Sequence, residues 1–287
     1  MSGSLSMLCM VDGRAMRVEV GCYCMKELKD TQNEVDPRGV PIQRVGVRAL
    51  RFPVRIRDKK DALQHTVATV SLGVDLPHNY KGTHMSRFIE TLNAHGPELS
   101  VRDIRRIPQE LLGRLDAERA HVEVSFPYFI EKRAPVTGAP GMLDYEVKFT
   151  VDATKDEMDL IVTVAVPVAT LCPCSKAISD RGAHNQRGIV TYSVRFDEPI
   201  WIEDLIRVVE LSASCELYAT LKRPDEKAVT EIAYDNPVFV EDLVRNIAVK
   251  SRGDENISWF RVEAENFESI HNHNAFAEVE WVRGGEW

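Results

Sequence analysis

Two thiols, a lysine, a histidine, an asparagine and an arginine fall between Leu171 and Arg187, in the run LCPCSKAISDRGAHNQR. Thiolate and imidazole are the donors that zinc and ferrous iron prefer, and a thiolate is also the best protein nucleophile. The stretch therefore proposes a metal centre, a nucleophile, or both. Cys172 and Cys174 flank Pro173. A pair of free cysteines can also be two small core hydrophobes, but the nearby Lys176 and His184 argue against that, because cations lower a thiol's pKa. His184 lies in the polar loop GAHNQR just ahead of a strand. A lone loop histidine is usually structural or solvated. This one gains weight from its company, since Cys plus His in one short segment supplies half of a tetrahedral site.

Two further segments offer the missing donors. Arg223-Pro224-Asp225-Glu226-Lys227 reads as a loop between two helices, and Glu268-Ser269-Ile270-His271-Asn272-His273 as a loop between the last two strands. Taken alone, Asp225 and Glu226 would form a solvated interhelical turn, and His271 and His273 a hairpin loop facing water. The His-Asn-His string lacks the compact ββα metal context of a nuclease. Lys176, Arg181, Arg187, Lys222, Arg223 and Lys227 give these loops a candidate phosphate-binding surface. No glycine-rich phosphate loop of the Walker or dinucleotide type is present, so side chains and loop amides would have to hold a nucleotide.

Alternating strands and amphipathic helices must position these loops. In the first half Leu50, Phe52, Val54 and Ile56 alternate with polar neighbours, as do Ala68, Val70, Leu72, Val74 and Leu76. Met85, Phe88, Ile89 and Leu92 follow at helical spacing. Ser100 reads as the cap of a second helix carrying Ile104, Ile107, Leu111 and Leu115, and Val122, Val124 and Phe126 read as a returning strand. The second half repeats this order. Strands at Tyr145–Val151 and Val162–Val168 lead into the cysteines, and another follows at Ile189–Phe196. Helices carry Ile202 to Ala213 and Phe239 to Ile247, and strands Ile257–Ala264 and Ala275–Val282 close the chain. The expectation is an α+β protein built by duplicating an antiparallel ββααβ module, with helices on one sheet face. Residues 1–30 read as a poorly ordered extension, 31–135 as the first module and 136–287 as the second, joined by a linker at Lys132 to Gly141. Only the second module carries the thiols; the matching loop of the first holds His78 and His84 but no cysteine.

Composition narrows the function classes. The chain has 287 residues, 44% of them hydrophobic, enough for a large core, and a formal charge of −8 from 44 acidic and 36 basic side chains. Binding to nucleic acid or to a membrane surface through bulk positive charge is not expected. Neither a membrane-length apolar run nor a signal-type N-terminus is present, so the expected location is cytoplasmic. Six cysteines in such a chain argue for free thiols, metal ligation or redox chemistry over structural disulfides. Cys22 and Cys24 form a second Cys-X-Cys, read as surface thiols.

Several spaced motifs agree with one family. LCPCSK, GAHNQR, LKRPDEK with VTE, NPVFVED and ESIHNHNAF, together with the earlier TQNEVDPRGVPI, resemble the type IB GTP cyclohydrolase family from about Thr31 to the C-terminus. The resemblance implies a bimodular tunneling fold (T-fold), a homotetramer with sites between subunits, and conversion of GTP to 7,8-dihydroneopterin triphosphate and formate for folate and deazapurine biosynthesis. It implies one divalent metal per site, manganese, ferrous iron or zinc, with no nicotinamide or flavin. Matched motif by motif, Cys172, His184, Glu226 and His271 would bind the metal and Cys174 would be the catalytic thiol. Glu268 and His273 would move protons. Glu241 would hold the guanine edge, and Lys176, Arg187 and Lys227 would meet the remainder of the substrate. Archaeal relatives make a cyclic phosphate instead. A tunneling-fold nitrile reductase also pairs a Cys with a purine-binding Glu but needs a nicotinamide, and a non-catalytic zinc module would be richer in thiolates.

Overall fold

The computed structural model describes residues 30–285, together with the backbone of two short strands near the N-terminus, β1 (Leu5–Val11) and β2 (Arg14–Val20), which pair antiparallel. Cys22 and Cys24 and the remainder of the expected extension lie outside the described residues. In the first half, β3 (Ile42–Arg57) and β4 (Leu63–Leu76) form a long hairpin. The chain then crosses through α1 (Met85–His95), the short β5 (Glu98–Leu99) and α2 (Arg106–Leu115) before β6 (Ala120–Arg133) returns beside β4.

The second half opens with β7 (Pro140–Ala153) and β8 (Met158–Leu171), then the six-residue α3 (Pro173–Ile178) and β9 (Asn185–Phe196). It continues through α4 (Ile202–Glu210), β10 (Cys215–Glu216), α5 (Arg223–Asp235) and α6 (Val240–Arg252), and closes with β11 (Ile257–Asn266) and β12 (Ala275–Val282). Ten strands form one sheet in the order β12-β11-β9-β8-β7-β6-β4-β3-β5, with β10 paired to β8. All its pairings are antiparallel except β3 with β5.

Period-two alternation decides which face each strand buries. On β8, Val162, Val164, Val166 and Val168 are fully buried, while the residues between them are only half-buried. On that second face Thr163 and Ser193 share a hydrogen bond at 2.9 Å. Helices cover the apolar face through side chains spaced one turn apart, among them Ile107 and Leu111, Leu205 and Val209, and Leu243 and Ile247. The two halves meet within one core, where Phe126 of β6 packs edge-on against Phe149 of β7 at 5.3 Å.

This is the α+β, bimodular tunneling fold expected, with helices on one face of antiparallel strands. Three details differ from the sequence reading. The run expected as a linker is the turn between β6 and β7, so the sheet continues through it. The second half also adds two short elements to the expected order, α3 and β10. Finally, Arg223–Lys227 is the first turn of the thirteen-residue α5 rather than a loop. Its polarity suggests a loop, because this helix buries little beyond Asp225 and Ala233. No helix among the described residues is long and apolar enough to cross a membrane.

Candidate active site

Leu171 ends β8, and the next residue turns the chain. Cys172 caps α3, its Sγ accepting from the Ser175 amide at 3.4 Å, with Pro173 in the first helical turn where no amide donor is needed. The Cys172 amide donates to the His184 carbonyl at 3.1 Å, and the His184 amide donates to Ser175 Oγ at 3.2 Å. The cysteine and histidine segments are thereby stitched together. The Val238 amide donates to the Leu171 carbonyl at 3.0 Å, bringing the start of α6 alongside, and the Phe267 amide donates to the Arg187 carbonyl at 2.9 Å, bringing in the β11–β12 loop.

The four segments enclose a cavity of about 270 Å³ whose lining includes Cys172, His184, Glu241, Glu268, His271 and His273. Six of the eleven residues expected at the site are therefore brought together. His184 Nδ1 lies 3.0 Å from Gln186 Oε1, and Gln186 Nε2 donates to Thr170 Oγ1 at 3.1 Å and to Glu268 Oε1 at 3.4 Å. The Glu268 carboxylate can only accept, so the amide nitrogen of Gln186 faces it and the amide oxygen faces the imidazole. That orientation places the proton of neutral His184 on Nδ1 and leaves Nε2 with a free lone pair. Glu268 Oε2 lies 3.8 Å from the same Nδ1, its side chain only 12% exposed. The rings of His271 and His273 stack at 5.1 Å, and His273 Nδ1 is 3.4 Å from Asn272 Oδ1. Glu241 sits in the first turn of α6, beside Phe239, which is 40% exposed.

The other five residues stand outside the cavity lining. Cys174 is exposed on the first turn of α3. Lys176 is tied down, donating to the Tyr234 carbonyl and lying 4.2 Å from the centre of the Tyr234 ring. Arg187 is exposed, because alternation on β9 turns it away from the face that buries Gln186. Glu226 and Lys227 are exposed on α5, with Lys227 Nζ 3.7 Å from Glu231. Their neighbour Asp225 is fully buried rather than solvated. It accepts hydrogen bonds from the Val136, Thr137 and Lys222 amides and from Thr137 Oγ1. Burial pushes its carboxyl pKa up, but these hydrogen bonds outweigh that and hold it well below the usual carboxylate range.

Sequence reasoning passed over Gln186, Thr170 and Asn266. Gln186 had a readable signal: two residues from His184 at the start of a strand, it shares that residue's face. Thr170 and Asn266 end strands that otherwise read as core, and periodicity does not distinguish a polar residue at such an end. Among the described residues no three Cys, His, Asp or Glu side chains converge closely enough to hold an ion as they stand. The donor types nevertheless fit a divalent ion: a thiol and three imidazoles line one cavity, and a buried amide presents one imidazole nitrogen as a lone-pair donor.

Comparison with known proteins identifies the family of this chain. A family model described as type I GTP cyclohydrolase folE2 matches residues 28–277. GTP cyclohydrolase FolE2 of Akkermansia muciniphila is 62% identical over 259 residues, covering 89% of this chain and 98% of that protein. The protein of the same name from Nitrosococcus oceani is 52% identical over 255 residues, covering 89% and 96%. Among solved structures, uricase from Arthrobacter globiformis shares the fold, with a TM-score of 0.51 and 10% identity over 85% of this chain and 95% of that one. The chain belongs to the type I GTP cyclohydrolase folE2 family.

Proposed function

We propose that this chain hydrolyses GTP to 7,8-dihydroneopterin triphosphate and formate, the first step of folate biosynthesis, in the cavity of its second module, residues 136–287. The observation that carries the reading is the meeting of Cys172, His184, Glu241, Glu268, His271 and His273 around one space, although they come from four separate segments. Glu241 accepts from N1–H and the 2-amino group of guanine, a match that a base lacking those donors would leave as an unpaired carboxylate. Phe239 supplies apolar surface next to it. Cys172, His184 and His271, with Glu226, would hold a divalent ion, manganese, ferrous iron or zinc, which would supply Lewis acidity for activating water near C8 of the purine.

The chain's own residues do the rest. Gln186 holds a proton on His184 Nδ1, leaving Nε2 as the nitrogen that can face an ion. Glu268, 12% exposed and hydrogen-bonded to Gln186, accepts and returns protons as the imidazole ring opens and formate leaves, with His273 as a second proton carrier. Cys174, at the exposed start of α3, acts on the bound base as the catalytic thiol. Lys176, Arg187 and Lys227 lie outside the cavity and serve the remainder of the substrate, where its phosphates extend beyond the base pocket.

Glu226 needs a separate account. It lies eight positions before Tyr234, whose carbonyl holds Lys176 of α3, so about 12 Å of helix separates it from that end of α5. One chain therefore supplies three of the four ligands to its own cavity, and Glu226 of a second copy completes the set in a tetramer with sites between subunits.

The test is GTP turnover by chelator-stripped protein to which manganese, ferrous iron or zinc is returned singly, with formate and the oxidised pterin followed together. Both products with a metal requirement support the reading. Formate without a pterin would end the assigned product, and neither product from folded, metal-loaded protein would end the catalytic reading.

A further inference from the structure

Asn266 stands apart from the residues assigned so far. It ends β11 opposite Gly188 of β9 and Ala275 of β12, is 2% exposed, and lines the same cavity as Glu241 and Glu268. Its carboxamide oxygen is buried and has no hydrogen-bond partner. Buried polar atoms are nearly always paired, and one without a partner at the wall of a ligand cavity marks a place where a partner is missing. The side chain's seat is also specific. A Cβ on Gly188 would lie 2.5 Å from Asn266 Oδ1, so only glycine at that register position lets the carboxamide lie across β9. Gln186, on the same strand, makes the contrast clear: it is equally part of the cavity wall, yet both ends of its amide are engaged.

We infer that Asn266 is a further substrate-binding residue, whose carboxamide oxygen accepts a hydrogen bond from a ribose hydroxyl of the bound nucleotide, with Gly188 keeping its seat open. The inference rests on the proposed GTP chemistry. Glu241 already takes the N–H donors of the guanine, whose other ring groups only accept, so the donors left for Asn266 are the ribose hydroxyls. An acceptor with no partner in the free protein gains one only when ligand binds. Its removal should therefore weaken binding without weakening the fold.

The experiment compares wild type, Asn266→Ala and Gly188→Ala. GTP affinity is measured by equilibrium dialysis on metal-stripped protein, where no turnover intervenes, and melting of the ligand-free chain and metal uptake are measured alongside. Asn266→Ala is expected to lose about tenfold in GTP affinity, the scale of one lost hydrogen bond in a dry site. Metal uptake should stay the same and the Tm should not fall. Gly188→Ala, which displaces the carboxamide, should lose affinity in the same direction. Unchanged GTP affinity in Asn266→Ala overturns the inference, and so does a lowered Tm of the free protein, which would make Asn266 a structural strut. Two analogues locate the donor. If 2′-deoxy-GTP or 3′-deoxy-GTP binds wild type and Asn266→Ala equally, the missing hydroxyl is the partner; if Asn266→Ala weakens both as it weakens GTP, neither hydroxyl is the partner and the inference is overturned. Wild-type protein that neither binds GTP nor releases formate would sink the functional reading and this inference with it. A working wild type with an unaffected Asn266→Ala would sink the inference alone.

Discussion

Replacing Gln186 with leucine tests whether the cavity prepares His184 for the proposed metal. Gln186 is 9% exposed, and leucine of similar size keeps most of its packing while removing both ends of the amide. The acceptor 3.0 Å from His184 Nδ1 is lost, and with it the group that fixes the proton on that nitrogen. Groups that orient a ligating histidine in this way are typically worth 10- to 100-fold in metal affinity, or about 1.4–2.7 kcal/mol. The structure places the expectation near the lower end, because Glu268 Oε2 lies 3.8 Å from the same Nδ1 and can move in as a substitute acceptor. Thr170 and Glu268 each lose a donor in the variant, so a small fall in Tm accompanies the change. The assay is competition for zinc or manganese against a chromophoric chelator, with melting of the metal-free protein as the folding control. Weakened affinity of about tenfold with a folded apo-protein is the expected result. Unchanged metal affinity in a folded variant would refute the assignment of Gln186 as the orienting group.

Cys172→Ala, which removes the thiol facing the cavity, is expected to lower metal content, whereas Cys174→Ala should keep its metal and lose turnover; equal metal loss in both would refute that division. Asp225→Asn should lower the Tm at neutral pH by weakening the cap of α5 and its tie to Thr137. Because hydrogen bonding depresses the folded-state pKa of Asp225, its contribution is present above the unfolded value of about 4 and fades below it, so the Tm gap between variant and wild type should narrow as pH falls through that range. A gap independent of pH would refute this. If Glu226 serves a second copy, Cys172→Ala and Glu226→Ala chains co-expressed with different tags should regain about a quarter of wild-type turnover by random pairing about a two-fold axis, while each variant alone stays inactive. Mixed oligomers with no recovery would refute the sharing.

Much of this molecule is legible in the sequence, and the parts that are not have physical reasons. Valines at 162, 164, 166 and 168 alternate without interruption, and β8 buries all four under helices. Leu205, Ile206 and Val209 mark α4 as clearly. At α5 the same reasoning fails. The helix lies on the surface and its start is built on polar contacts, so it carries no apolar stripe to detect, although Pro224 in the first turn and the acid at Asp225 are helix-start signals. The candidate site divides along similar lines. Residue chemistry singles out Cys172, His184 and His271, which meet. Gln186 and Asn266 carry no reactive group, and their importance is visible only once Oε1 of one is found on an imidazole and Oδ1 of the other is found unpaired.

Asp225 and Glu226 show why neighbours in a motif need not share a destination. Asp225 is locked inward by four donors, three of them from residues 136, 137 and 222 of the backbone. With α5 pinned at that end, the next residue along the helix turns outward and is exposed. Bringing Glu226 to the cavity of its own chain would require α5 to rotate, which would strip a fully buried carboxylate of its hydrogen bonds. The cheaper arrangement leaves α5 where it is and lets another molecule approach. The buried acid thus holds the exposed one outward, the position that the proposed sharing of Glu226 with a second copy requires.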